Sequence, residues 1–413
     1  MSKQQITIPL DIADVNVLSV EFRGGAYHIK LESSLDYAYC RQCGQRITGL
    51  HEREDWVKVQ HLPILDRAVF LYYRPKRYRC PDCEGGPTTT QRLSWHQPNS
   101  PHTVAYDQYL LRMLVNSTIE DVTHKAHVSY DSMVGVLERC VADKVDWERF
   151  DDLNVLGIDE IALKKGQRDY VVIVSARQKD GALAVLGVLP DRSQATVKAF
   201  LDSIPARLRD TITTTCCDLY DSYLQASRAS LPHARLVIDR FHVARLYRSA
   251  ADSLRKAEMK RLKRTLPAQT YRTLKGALWA FRKRRDDLLP DERAILDRLF
   301  ALSPSLNVAY TLREDLTSIF DTAPAKNKAK RLLRDWQTRV RASGLDCFDT
   351  FLDTLDRFWN EITNYFVDFQ SSGFVEGLNN KLKVLKRRCY GLFNLSHLFQ
   401  RIFLDLQGYR LFR

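Results

Sequence analysis

Three aspartates close short apolar runs: Asp159 follows Val155-Leu-Gly-Ile, Asp218 follows Thr211-Ile-Thr-Thr-Thr-Cys-Cys, and Asp239 follows Ala234-Arg-Leu-Val-Ile. In an open α/β sheet, ligands gather beyond the strand ends, so carboxylates placed there can converge on one spot. Crowded like charges repel strongly at short range, and a divalent cation is the usual way to offset that repulsion. One such aspartate in isolation reads as a loop or helix-capping residue. Three in succession point to metal-dependent chemistry. Glu160 adjoins Asp159 but falls on the other face of an extended strand. Asp221 is placed to cap the helix that follows Asp218.

Four of the nine cysteines fall in two pairs, Cys40-Arg-Gln-Cys43 and Cys80-Pro-Asp-Cys83. Each pair can form a knuckle presenting two thiolates to one tetrahedral Zn(II), and a site filled by four thiolates has no open position for water, so the zinc is expected to be structural. The long interval between the pairs leaves room for strands at Trp56-Val-Lys-Val and along 68–79, which predicts a zinc ribbon with a basic hairpin.

The elements that must carry these residues follow from pattern. Residues 1–95 read as amino-terminal strands and the ribbon, and His96-Gln-Pro-Asn-Ser-Pro-His102 as a linker. Residues 96–150 give a short helix, a tight turn and a longer helix, the outline of a helix-turn-helix. Ser129 is its expected N-cap, with Tyr130 and Ser132 at the groove-facing start. Residues 151–245 run three strands, helix, strand, helix, strand, the order of a ribonuclease-H-like α/β core. Residues 246–365 read as a helical insertion, and 366–413 as helices that close the core.

The formal net charge is +13, which points to an anionic partner such as nucleic acid. Residues 246–285 concentrate that excess, with thirteen Lys and Arg against Asp252 and Glu258. Such a run without acidic partners four residues away is poor helix design unless phosphates supply the counter-charge, which marks Arg282, Lys283, Arg284 and Arg285 as DNA contacts. Lys381, Lys383, Arg387 and Arg388 repeat the theme near the carboxyl end, beside Glu376. Trp279, Phe281 and Trp336 suit either base stacking or core packing, with packing the commoner use. No apolar run is long enough to span a membrane, and the first residues lack a secretory pattern, so a cytoplasmic protein is expected.

Four blocks together resemble the ISL3-family insertion-sequence transposases of bacteria, a DDE family. They are the Cys40, Cys43, Cys80, Cys83 ribbon, the strand Gly157-Ile-Asp159, the block Asp239-Arg-Phe-His-Val243, and Gly373-Phe-Val-Glu376-Gly-Leu-Asn-Asn-Lys-Leu-Lys followed by Arg387-Arg-Cys-Tyr-Gly391. The resemblance implies that Asp159, Asp218 and Glu376 form the catalytic triad and hold Mg(II) or Mn(II), with Asp239 and His242 orienting the ligands. It further implies double-stranded DNA as partner, in the form of terminal inverted repeats and target, and a homodimer to pair two ends. A non-catalytic zinc-ribbon regulator and a nuclease without joining activity are the other readings of the same residues.

Overall fold

Gly24 and Gly25, both at positive φ, close a two-residue hairpin between β1 (Val15–Arg23) and β2 (Ala26–Ser33), the turn in which glycine relieves the steric penalty at both central positions. The computed structural model describes residues 9–162, 170–323, 325–369, 373–388 and 394–412. They divide into two units, Met1–Asp143 with Gln400–Arg413, and Lys144–Phe399.

In the first unit, β3 (Ala38–Tyr39) and β4 (Arg46–Ile47) form a small hairpin, and β5 (Leu50–Arg53), β8 (Lys76–Arg79) and β9 (Thr88–Thr90) form a three-stranded sheet. The longest strands between the cysteine pairs, β6 (Val57–Ile64) and β7 (Arg67–Tyr73), are not ribbon strands as expected. They join β1 and β2 in a separate four-stranded sheet, order β1-β2-β7-β6. The reason lies in their alternation: Val59, Val69, Leu71 and Tyr73 bury one face against Ile29, Leu31 and Trp95, a core the small ribbon could not supply.

The segment 96–102 is likewise no loose linker. His96 Nδ1 and the Tyr73 hydroxyl share a 2.7 Å hydrogen bond, and His102 Nδ1 lies 2.8 Å from Asp107 Oδ1, which also accepts from Arg139 through its other oxygen at 2.7 Å. Buried histidines with both ring nitrogens engaged turn this Pro-bearing stretch into a fixed joint. Helices α1 (Val104–Leu114), α2 (Ile119–Ala126) and α3 (Tyr130–Cys140) follow, with His127 left-handed at φ 53 in the turn. Ser129 caps α3 as expected, its hydroxyl accepting from the Ser132 N–H at 3.1 Å, a cap that contributes about 1 kcal/mol.

The second unit is built on β10 (Val155–Ala162), β11 (Tyr170–Arg177), β12 (Leu183–Leu189), β13 (Thr214–Cys217) and β14 (Arg235–Ile238), in the order β12-β11-β10-β13-β14. The first three pair antiparallel, whereas β13 and β14 run parallel to β10, the ribonuclease-H-like arrangement that the alternation of strands and helices led us to expect. Helices α4 (Gln194–Ser203), α5 (Ala206–Arg209) and α6 (Asp221–Ser230) supply the connections before and after β13.

From α7 (Arg240–Thr265) onward the elements among the described residues are all helices. Helices α8 to α15 occupy 268–368, α16 spans Gly373–Arg388 and α17 spans Leu395–Leu411. This stretch is all-α as expected, but it shares one apolar core with the sheet. Tyr247, Trp336, Phe351 and Phe366 belong to the same cluster as Leu156, Val172 and Val237, and Asn364 Nδ2 donates to the Leu236 carbonyl at 2.8 Å. The closing segment differs from expectation more sharply, because residues from Gln400 on belong to the first unit. There Gln400 Nε2 donates to the Val141 carbonyl at 2.6 Å, and Leu404 joins the core of the three helices. The physical cause is that Arg401, almost fully buried, donates to the carbonyls of Leu114 and Ser117 at the end of α1. No helix among the described residues is long and apolar enough to cross a membrane.

Candidate active site and metal centres

Register brings the acids together. Ile158 pairs with Cys217 and Cys217 with Ile238, so the next residue of each parallel strand, Asp159, Asp218 and Asp239, stands at one level on neighbouring strands about 4.8 Å apart. Asp159 is not the last residue of its strand, as the sequence suggested. Antiparallel pairing with β11 carries β10 on to Ala162, so Asp159 is strand-internal on one side and level with a strand end on the other.

Asp239 is the N-cap of α7, its Oδ1 accepting from the Phe241 N–H at 2.9 Å. The first turn of that helix then presents His242, whose Nε2 lies 3.0 Å from Asp218 Oδ1. Arg245, one turn further on, lies 3.2 Å from His242 Nδ1. A guanidinium can only donate, so Nδ1 accepts and the ring proton sits on Nε2, donated to Asp218. Donor atoms of Asp218, Asp239 and His242 lie within 4.8 Å of one another.

The electrostatics match this crowding. Burial first, and then the charge of Asp218 beside it, push the Asp159 carboxyl up to about 8. Burial lowers the His242 imidazole, but its hydrogen bond to Asp218 outweighs that and leaves it raised. Of the three carboxylates, His242 is bonded to Asp218 alone, and Asp159 stands outside the group whose donor atoms lie within 4.8 Å of one another, so ionising all three crowded carboxylates is costly without a cation. Hard oxygen donors of this kind fit Mg(II) or Mn(II).

Glu160 faces away from Asp159 as expected: it pairs with Arg192 at 3.2 Å and accepts from the Tyr223 hydroxyl at 3.5 Å. Asp221 pairs with Arg357 at 3.0 Å and makes no helix cap by its side chain. Glu376 sits on α16, a helix that packs beside β10, but its side chain lies outside the described residues.

The four paired cysteines converge as the spacing predicts. Cys40 and Cys43 flank the turn after β3, Cys80 and Cys83 the turn after β8, and all four sulfurs lie within 4.8 Å of one another. Cys40 Sγ to Cys83 Sγ is 3.9 Å and Cys43 Sγ to Cys80 Sγ is 3.8 Å. A tetrahedron with Zn–S bonds of about 2.3 Å has edges of about 3.8 Å, so the thiols already stand at ligand positions. The N–H groups of Cys43 and Gln42 lower the Cys40 thiol to about 6, whereas the neighbouring Cys43 sulfur raises Cys83 to about 12, a split that a shared dication removes.

The expected DNA contacts fare unevenly. Tyr130 is exposed at the start of α3, but Ser132 turns back, its hydroxyl 3.3 Å from His102 Nε2. Three cations of the run at 282–285 are compensated: Arg282 pairs with Asp252 at 2.8 Å, Lys283 with Glu292 at 2.6 Å and Arg284 with Asp321, whereas Arg285 gives Glu314 only its backbone N–H. The acids come from other helices or later turns, where a search for partners four residues away does not look. Trp336 and Phe281 are core residues, and Trp279 is exposed. Lys381, Lys383 and Arg387 are exposed on α16, and Arg388 is half-buried.

Residues 156–402 match the sequence model of a transposase family, the ISL3-type DDE transposases. The chain is similar to the transposase for insertion sequence element IS1001 of Bordetella parapertussis, 28% identical over 384 residues, covering 92% of this chain and 91% of that one. It is also similar to the transposase for insertion sequence element IS1557 of Mycobacterium tuberculosis, 25% identical, covering 90% and 86%. Among solved structures, the Drosophila P element transposase in its strand transfer complex aligns over 78% of this chain and 94% of that one, with 11% identity and a TM-score of 0.42.

Proposed function

We propose, for a chain that belongs to the ISL3 family of DDE transposases, that it binds the terminal inverted repeats of an insertion sequence, cleaves the DNA at the element ends and joins the freed 3'-hydroxyls to target DNA. The observation that carries this reading is the alignment of Asp159 with Asp218 on adjacent parallel strands. In this reading Asp159 and Asp218 hold the divalent cation, and Glu376, by its place in the family block and on a helix beside β10, is the third acid. Asp239 and His242 are positioning residues: the first fixes the start of α7, the second uses that start to hold the Asp218 carboxylate. Bound Mg(II) or Mn(II) would offset the negative charge that builds on the phosphate during in-line displacement. No covalent protein nucleophile is required, since water and then a DNA 3'-hydroxyl serve. The ribbon and the helix-turn-helix supply end binding, with Tyr130 at the groove-facing start of α3, and the exposed Lys381, Lys383 and Arg387 of α16 attract phosphates. Pairing two ends calls for two copies of the chain.

The test is incubation of the full chain with a duplex carrying one element end and Mg(II), followed by separation of the DNA products. Strand cleavage leaving a 3'-hydroxyl, and joined products when target is added, are expected. Both should vanish in Asp159→Ala and Asp218→Ala while end binding persists. Binding without any strand cleavage would leave a DNA-binding regulator instead.

A further inference from the structure

A cleft of about 400 Å³ opens along α7, just beyond the acid cluster. One wall is a single face of that helix, where Phe241, Arg245, Arg248, Ser249 and Asp252 recur at spacings of three and four residues. Its charges do not cancel. Asp252, the acid of this lining, is already held by Arg255 at 2.7 Å and Arg282 at 2.8 Å. Arg313, across the cleft, is paired with Glu314 at 2.7 Å. Arg245 spends one donor on the neutral acceptor of His242, and Arg248 has no side-chain partner among the described residues. Both guanidinium groups are on exposed residues. Phe241, 47% exposed, adds an apolar edge between them and the acids. Exposed arginines lined up on one face, with the nearby acid already saturated, suit an anion with several acceptor oxygens.

We infer that this cleft holds a phosphodiester group of the DNA strand that passes through the acid cluster, with Arg248 as its main ligand and Arg245 beside it. The spacing fits a strand. Six residues of helix separate His242 from Arg248, about 9 Å of rise, which matches two to three nucleotides at about 3.4 Å each. The deoxyribose next to that phosphate would lie against Phe241. The inference rests on the transposase reading and assigns part of the substrate to residues outside the acid cluster.

The experiment uses the full chain, wild type and Arg248→Ala, with end duplexes carrying one uncharged methylphosphonate stepped outward from the cleaved bond. Binding and the cleavage rate are both measured. Arg248→Ala should weaken end binding about tenfold and flatten its salt slope by about one. A methylphosphonate two or three nucleotides from the cleaved bond should weaken the wild type by the same factor and cause no further loss in Arg248→Ala. Arg248→Lys should recover most of the binding. Losses that multiply at every position, or an unchanged Arg248→Ala, overturn the inference and leave the transposase reading intact. A wild type that neither binds nor cleaves end DNA overturns both. Should Arg248→Ala fail to fold, Arg248→Gln, which keeps the length of the side chain without its charge, carries the same comparison.

Discussion

The Nε2–H of His242 donates to Asp218 Oδ1 across 3.0 Å, tying the first turn of α7 to the end of β13. The helix start itself is fixed by Asp239, so two of the residues in the Asp239-Arg-Phe-His block act in sequence: one sets the helix, the other sets the carboxylate. His242→Ala should therefore lower end cleavage about 10- to 100-fold with little change in end binding. His242→Gln, which can still donate, should recover part of the rate. Equal loss in both variants would show that the ring itself, and not its donated hydrogen bond, is what matters.

Asp159 offers a test that needs no DNA. Its carboxyl, raised to about 8 by burial and by Asp218, binds a proton more tightly folded than unfolded. In the metal-free protein its contribution is then favourable below about pH 4 and is lost as the pH rises through the folded value near 8. Asp159→Asn should raise the metal-free melting temperature at pH 8 and leave it nearly unchanged at pH 4. Mg(II) should stabilise the wild type at pH 8 and not the variant, a comparison read by thermal shift.

The ribbon should contain about one zinc per chain, measured by elemental analysis, because the four sulfurs already approach tetrahedral separations. Chelation or Cys43→Ser should unfold the segment between β3 and β9 locally, exposing Ala38, Ile47 and Tyr78, which pack around the cysteines. Unchanged hydrogen exchange in that segment after metal removal would falsify a structural role.

Asp252 is the shared partner of Arg255 and Arg282 rather than an isolated acid in the basic insertion. Burial raises its carboxyl, but hydrogen bonds from Arg282 and Arg255 outweigh that and hold it at about 2. A lowered acid stabilises the fold above its unfolded value near 4, and the contribution is lost as the pH falls toward 2. Asp252→Asn should cost about 3 kcal/mol at neutral pH, since it leaves the buried Arg255 without a charged partner, and less at pH 3. Arg282→Ala, whose side chain is half exposed, should cost far less. Equal melting temperatures for Asp252→Asn and wild type at neutral pH would refute this assignment.

What could be read from the chain depended on the range of the interaction. Paired cysteines are a local signal with a fixed chemical purpose, so the convergence of Cys40, Cys43, Cys80 and Cys83 was legible by spacing, and an aspartate directly after each apolar run was enough to anticipate Asp159 level with Asp218. Ser129 was legible because a cap acts within one turn. The ion pairs of Arg282, Lys283 and Arg284 were not, since their acids Asp252, Glu292 and Asp321 come from elsewhere in the helical region and no periodicity announces them. The fixed joint at 96–102 was hidden for a similar reason: proline and serine mark a turn, but the burial of His96 and His102 depends on Tyr73 and Asp107.

Arg401 gives the last prediction. It is 1% exposed, donates to the Leu114 and Ser117 carbonyls at 3.2 and 2.7 Å, and lies 3.6 Å from Asp405, which itself accepts from the Asn116 N–H at 3.0 Å. The carboxyl-terminal helix thus adds a guanidinium donor and a carboxylate acceptor to the end of α1 and the turn into α2. Close approach is allowed by Gly408, where an added Cβ would stand 2.5 Å from Val115 Cγ2. Arg401→Ala removes the cation from a buried carboxylate and takes the guanidinium donor away from the Ser117 carbonyl, so it should destabilise the first unit by about 3 kcal/mol or more. Gly408→Val should do the same by overpacking. Hydrogen exchange is the measurement, because it resolves the units separately: α1 to α3 should lose protection in both variants while β10 to β14 keep theirs. End binding should fall with the loss of the three-helix unit. Full protection of α1 to α3 in Arg401→Ala would mean that the three helices stand without the carboxyl-terminal segment, and that their core alone is sufficient.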